Sequence, residues 1–159
     1  MIARTALAML SLLLVFDTAA DIVTREVSYK QGDTVMKGLV AYDDSIETVR
    51  PGILVVHEWW GLNDYARKRA RMLAELGYTA FALDMYGDGK QAAHPDDAQK
   101  FMNDVLSHAD VAEQRFLAAM DLLKRHNTTL DDKIAAIGYC FGGGVVLQMA
   151  RNGVVHLPR

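Results

Sequence analysis

Residues 133–144 read KIAAIGYCFGGG, and this stretch contains the strongest signals for both the architecture and the candidate chemistry of the chain. The apolar run KIAAIGY is typical of a buried strand, and a helical pattern comes after the cluster of glycines. The spacing Gly138-x-Cys140-x-Gly142 therefore predicts a tight turn between strand and helix, with the only cysteine of the 159-residue chain at its apex. Small neighbours allow such a turn to form without clashes and raise the apical side chain above the sheet.

Short apolar strands alternate with amphipathic helices along the rest of the chain. In order, the predicted elements are a hairpin at 22–42, a strand at 53–56, a helix at 63–76, a strand at 78–85, two helices after Pro95, a strand at 133–139 and a helix at 145–151. The helix at 63–76 carries two apolar rows, which are Ala66, Ala70, Leu73 and Tyr65, Met72, Leu76. This alternation predicts an α/β layer fold with a mostly parallel sheet.

The segment 1–20 differs in character from the rest of the chain. Arg4 precedes an apolar run that extends from Thr5 to Phe16, and small residues then lead to Ala20. This layout is typical of a secretory signal peptide cleaved after Ala20, and it predicts a secreted or periplasmic protein whose domain occupies residues 21–159. An uncleaved anchor and a buried N-terminal helix are the alternatives.

The composition narrows the function classes. Hydrophobic residues make up 51% of the chain, which is typical of a globular domain. The formal net charge is −3 and no block of lysines or arginines stands out, so we expect no nucleic-acid partner and, after signal cleavage, no membrane partner. A single cysteine excludes an intrachain disulfide, and the five histidines lack metal-site spacing, so we expect neither a metal nor another cofactor.

A second polar motif, His57-Glu58-Trp59-Trp60-Gly61, also comes after a buried strand and precedes a helix. Loops that leave the carboxyl ends of neighbouring parallel strands meet over one crevice, so we expect Glu58 within hydrogen-bonding distance of Cys140. The N–H groups of Trp59 and Phe141 are candidate donors to an oxyanion, and the helix N-terminus favours a thiolate. The alternatives are a core cysteine beside packing glycines, an exposed loop acid, and a tryptophan pair that only packs.

Together these motifs resemble the dienelactone hydrolase family of α/β-hydrolases, from about residue 25 to Arg151. The matching pieces are GILVVHEWWGLN, AFALDMYGDG and AAIGYCFGGG. The resemblance implies a three-layer fold and a Cys–His–Asp triad that hydrolyses small esters or lactones through a thioester on Cys140. It further implies that Glu58 pairs with the resting cysteine, that Trp59 and Phe141 supply the oxyanion hole, and that no cofactor is needed.

The chain departs from the family pattern in two ways. Where the family has an arginine after its D-x-Y motif, which holds a substrate carboxylate, this chain reads Gly87-Asp88-Gly89, which argues against dienelactone itself. In α/β-hydrolases the acid and histidine come after the nucleophile, and only nineteen residues come after Cys140 here. We therefore expect an incomplete fold that lacks its C-terminal strands and its triad Asp and His and is inactive, with His156 not catalytic and Asp84 ordering its turn.

Two other functions compete with the hydrolase. One is a non-catalytic binding module with an α/β-hydrolase-like fold. The other is a redox-sensing protein in which the Cys140 thiol is oxidised reversibly. His57, beside the glutamate, is interpreted as structural.

Overall fold

The computed structural model describes residues 21–154, which form five strands and four helices. The strands are β1 (Ile22–Gln31), β2 (Thr34–Asp43), β3 (Arg50–Val56), β4 (Thr79–Leu83) and β5 (Thr129–Gly138). The helices are α1 (Asp64–Glu75), α2 (Pro95–Ser107), α3 (Ala109–Lys124) and α4 (Phe141–Arg151). None of these helices is long and apolar enough to cross a membrane. The predicted signal peptide and His156 lie outside the described residues.

The five strands form one sheet in the order β1-β2-β4-β3-β5. The predicted hairpin pairs β1 with β2 antiparallel, from Ile22 opposite Asp43 to Gln31 opposite Thr34. The β2–β4 pairing is also antiparallel, whereas β3 runs parallel to both β4 and β5. The predicted α/β architecture is thus confirmed, and its parallel part is the half of the sheet that contains the cysteine motif.

Helices cover both faces of the sheet, as a three-layer fold requires. Successive residues of a strand point to opposite faces, so Leu54 and Val56 belong to one apolar cluster and Val55 to another. The first cluster contains Phe116 of α3 and Val145 of α4, and the second is built on α1. Because β3 and β4 are covered on both sides, they are almost completely buried.

Helix α1 buries Ala66 and Ala70 of one predicted apolar row, with Leu73 only partly buried, and leaves the other row exposed. The Asn63 side chain caps the helix by accepting hydrogen bonds from two backbone N–H groups, as predicted. The buried face consists of Ala66, Ala70 and Ala74. In the second row, the exposed fractions are 42% for Tyr65, 38% for Met72 and 72% for Leu76. Alanine lets the helix lie close to the sheet, so the buried stripe is narrow and the larger side chains remain at its margins.

The predicted start of the last helix is wrong by one turn. The sequence pattern places the start at Val145 because glycine is a poor helix former, but α4 begins at Phe141 and includes all three glycines. The preceding strand β5 ends at Gly138, so only two residues separate strand from helix. The turn around Cys140 is consequently tighter than the helical pattern alone predicts.

Candidate active site

Cys140 occupies the apex of a strained turn at the carboxyl end of β5. Its backbone has φ 52° and ψ −115°, a conformation that a residue with a Cβ atom rarely adopts. The residue is the N-cap of α4, and its side chain is exposed. This backbone geometry matches a strand–turn–helix elbow that presents a side chain above the sheet.

Two glycines make this turn possible because backbone atoms occupy the space that a side chain would need. A Cβ atom at Gly138 would lie 2.1 Å from the carbonyl oxygen of Gly142. A Cβ atom at Gly142 would lie 2.4 Å from the carbonyl oxygen of Val56 and 2.5 Å from that of His57. The first turn of α4 therefore packs directly against the backbone at the end of β3, which explains the Gly-x-Cys-x-Gly spacing.

The loop that carries Glu58 lies at the same edge of the sheet as Cys140. In the parallel β3–β5 pair, Val56 lies opposite Gly138, so Glu58 and Cys140 each come two residues after the paired positions. Within residues 21–154, the Glu58 carboxylate and the Cys140 thiol form no hydrogen bond with each other. The register brings the two loops together as predicted, while the pairing of Glu58 with the thiol stays a prediction.

The two candidate oxyanion donors have N–H groups that the described protein leaves free. Within residues 21–154, neither Trp59 nor Phe141 donates a backbone hydrogen bond. Phe141 is the first residue of α4, and the first amides of a helix have no partner inside it. By contrast, the N–H of Gly142 donates to the Tyr139 carbonyl oxygen at 2.9 Å. Both candidate donors therefore have an N–H group without a partner in the described part of the chain.

His57 is part of the framework beneath the site. Its ring is fully buried, and Nε2 accepts a hydrogen bond from the Met85 N–H at 3.1 Å. Nδ1 therefore carries the proton and donates to the carbonyl oxygen of Glu58. Burial lowers the pKa of His57, so the ring is held neutral. The structural interpretation of His57 is confirmed, because both ring nitrogens are engaged by the backbone.

The lowered pKa of His57 makes stability depend on pH. Below pH 6.5 the unfolded chain protonates this histidine while the folded chain resists protonation, so the unfolded state binds more protons. We expect the contribution of His57 to the free energy of unfolding to be complete above that pH. Below it, the free energy of unfolding should fall by up to about 1.4 kcal/mol per pH unit for one proton. Urea unfolding of the wild type and of His57→Gln across this range measures the difference. Equal pH slopes would contradict the assignment, since His126, whose pKa is also lowered, is present in both proteins.

Asp84 orders the turn after β4, as predicted. Its Oδ1 accepts the N–H groups of Tyr86 at 2.8 Å and Gly87 at 2.9 Å. Its Oδ2 accepts those of Gly89 at 2.9 Å and Lys37 at 3.2 Å. The carboxylate is completely buried and its hydrogen-bonding capacity is used by the backbone, so Asp84 is not available to act on a substrate.

An aromatic residue for which the sequence predicts no role lies between the two loops. The Tyr86 hydroxyl donates to the Trp59 carbonyl oxygen at 2.9 Å, and its ring centroid lies 5.7 Å from that of Phe141. The only signal in the sequence is its place in the D-x-Y motif after β4. A backbone bridge between Gly61 and Gln91 joins the loop after β3 to the segment after β4.

The described residues contain neither a metal site nor a histidine bonded to the thiol. Over residues 21–154, no group of three or more His, Cys, Asp or Glu side chains could hold a metal ion. His94 and His108 occupy the N-cap positions of α2 and α3 without a capping side-chain hydrogen bond, and His126 Nδ1 lies 2.9 Å from Thr128 Oγ1. A histidine base for Cys140 is therefore not found within this range.

Comparison with known proteins gives concordant matches. A family model described as "Dienelactone hydrolase family" matches residues 36–157. Protein usf of Aquifex pyrophilus is 38% identical over 104 residues, which cover 63% of this chain and 45% of that protein. Carboxymethylenebutenolidase of Pseudomonas putida is 26% identical over 113 residues, covering 66% of this chain and 47% of that protein.

Solved structures agree with these matches. A dienelactone hydrolase-like promiscuous phosphotriesterase from metagenomic libraries superposes with a TM-score of 0.79 at 37% identity. The superposition covers 83% of this chain and 55% of that one. The chain spans about half the length of the curated relatives that it matches.

Proposed function

Since the chain belongs to the dienelactone hydrolase family, we propose that it carries the nucleophile of a hydrolase that cleaves small esters or lactones through a thioester on Cys140. The observation that carries the proposal is the exposed thiol on a strained turn, with two free backbone amides at the same edge of the sheet. A core cysteine would need neither the exposure nor the strain.

The proposed reaction has two stages. The Cys140 thiolate attacks the carbonyl carbon, a C–S bond forms, and the carbonyl electrons move onto oxygen, where the Trp59 and Phe141 amides hold the charge. The oxyanion then collapses, the ester C–O bond breaks, and the leaving alcohol takes up a proton. Water next attacks the thioester carbon and releases the acid and the thiol. Glu58 is proposed to hold the thiol between turnovers.

The loop after β4 bears on the class of substrate. Gly87 has φ 84°, and a Cβ atom there would lie 2.6 Å from Thr34 Cγ2, so a side chain at this position would be strained and crowded. Asp88 forms an exposed ion pair with Lys90, in which Oδ2 lies 3.8 Å from Nζ. With no arginine on this turn, uncharged esters and lactones suit the site better than dienelactone carboxylates. The metagenomic relative is named a phosphotriesterase, and an uncharged phosphotriester is a second candidate substrate.

We expect p-nitrophenyl acetate to acylate Cys140 in a stoichiometric burst, with subsequent turnover little faster than that of a free thiol. The described residues supply the nucleophile and the oxyanion donors, but the second stage needs a base to activate water. Stopped-flow absorbance of released p-nitrophenol, with mass spectrometry of the intact protein, measures burst and turnover separately.

The competing functions predict different results in the same experiment. Fast, Cys140-dependent steady-state turnover would contradict the expected inactivity, and loss of that turnover in His156→Ala would then identify the base. A stable, folded chain that shows no burst would favour the binding module. An ordinary thiol pKa for Cys140, measured by absorbance of the thiolate, would remove the redox-sensor alternative.

A further inference from the structure

We propose that Tyr86 is a positioning residue that holds both oxyanion donors of the site in place, an inference that rests on the proposed function. The donors belong to different loops, one after β3 and one at the start of α4, and a residue that touches both can restrain them together. Tyr86 contacts both Trp59 and Phe141, the two residues that carry the donor amides.

The contact with Trp59 is a hydrogen bond. The Tyr86 hydroxyl donates to the Trp59 carbonyl oxygen at 2.9 Å, which fixes the peptide on the C-terminal side of this residue. The preceding peptide, which carries the Trp59 N–H, is held at the Glu58 carbonyl oxygen by His57 Nδ1 and by the Gly61 N–H at 3.2 Å. The Tyr86 contact adds a restraint on the next peptide, so the backbone of Trp59 is held on both sides although it lies outside the helices and strands.

The contact with Phe141 is made by the ring. The two ring centroids are 5.7 Å apart with the planes tilted by 31°, and Tyr86 is only 4% exposed. This packing holds the first residue of α4 against the loop after β4. Tyr86 therefore restrains one donor residue through its hydroxyl and the other through its ring.

Tyr86 is itself held rigidly, which a positioning residue requires. Asp84 Oδ1 accepts its backbone N–H at 2.8 Å, and the neighbouring Met85 N–H donates to His57. The centroid of its ring lies 4.8 Å from that of His57, in an edge-on arrangement, and 5.5 Å from that of Phe101. Burial raises the pKa of Tyr86, and the negative charge of the Cys140 thiolate adds to this effect, so the hydroxyl keeps the proton that it donates.

Two reactions of the same sulfur separate this role from a general structural one. Acylation of Cys140 by p-nitrophenyl acetate passes through an oxyanion, whereas alkylation by iodoacetamide displaces iodide without forming one. Loss of an oxyanion-hole donor costs about 100- to 1,000-fold in rate, and a misaligned donor keeps part of its effect. For Tyr86→Phe we expect acylation about tenfold slower, with the alkylation rate changed by less than about twofold.

Controls make every outcome decisive. Tyr42→Phe removes a hydroxyl from another buried tyrosine, whose ring packs at a tilt of 55° against that of His126, and should change neither rate. Tyr86→Leu also removes the ring contact with Phe141 and should slow acylation further. An unchanged acylation rate in Tyr86→Phe, or an equal slowing of both reactions, would overturn the proposal. A wild-type Cys140 acylated no faster than a free thiol would instead overturn the proposed function together with the role of Tyr86.

Discussion

Replacing Gly142 by alanine is expected to destabilise the chain by at least about 3 kcal/mol and to eliminate acylation of Cys140. The added Cβ atom would lie 2.4 Å from the Val56 carbonyl oxygen and 2.5 Å from that of His57. Both neighbours are backbone atoms of a strand end and its loop, so they cannot move aside as a flexible side chain would. Relief requires α4 to separate from β3, which would move the Phe141 amide away from the Trp59 amide.

The matched control lies two residues further along the same helix. A Cβ atom at Gly144 would meet nothing within 4 Å, so Gly144→Ala should be tolerated sterically. Because alanine is a better helix former than glycine, we expect this variant to be stabilised by up to about 1 kcal/mol. Urea unfolding and the p-nitrophenyl acetate burst are measured for both variants. Similar behaviour of the two alanine variants would contradict the close packing of α4 on β3.

Replacing Cys140 is expected to remove the chemistry and to reveal the strain of the turn. Cys140→Ala should show no burst with p-nitrophenyl acetate. Cys140→Ser should acylate at least about 100-fold more slowly than the wild type, because a hydroxyl needs a general base, which contributes about 100- to 10,000-fold, and the described residues supply none. A burst that survives in Cys140→Ala would assign the acylation to another nucleophile.

Stability distinguishes the strained turn from an ordinary one. At φ 52° a residue with a Cβ atom carries strain of about 1–3 kcal/mol, which glycine relieves. We therefore expect Cys140→Gly to be more stable than Cys140→Ala by about 1–3 kcal/mol, the reverse of the order of these residues in a helix interior. If alanine proves the more stable substitution, the positive φ at this position is wrong.

The elbow and the α/β order could be predicted because their signals are local. A run of β-branched and apolar residues leading into Gly-x-Cys-x-Gly fixes strand, turn and helix within a dozen positions, and Asn63 marks a helix start in the same way. The shared edge of the two loops was expected from parallel pairing, and the register of Val56 with Gly138 bears it out.

The features that escaped prediction depend on contacts between distant segments. The buried face of α1 is set by how closely the helix approaches the sheet, so alanine was selected over the larger apolar side chains. Gly142 in the first turn of α4 is explained only by the backbone at the end of β3, which lies more than eighty residues earlier. Tyr86 carried no periodic signal, and its importance emerges from where Trp59 and Phe141 meet in space.

The close fit between the segments after β3 and β4 has a consequence for engineering. The Ala92 N–H donates to the Trp60 carbonyl oxygen at 3.0 Å, and a Cβ atom at Gly61 would lie 2.3 Å from the carbonyl oxygen of Lys90. The two segments contact each other through backbone atoms. Neither segment can therefore be replaced by one from another protein without changing the other. A library that randomises 87–92 to broaden substrate scope would perturb the backbone beside Trp59 as well. Such libraries should exchange both segments as one unit.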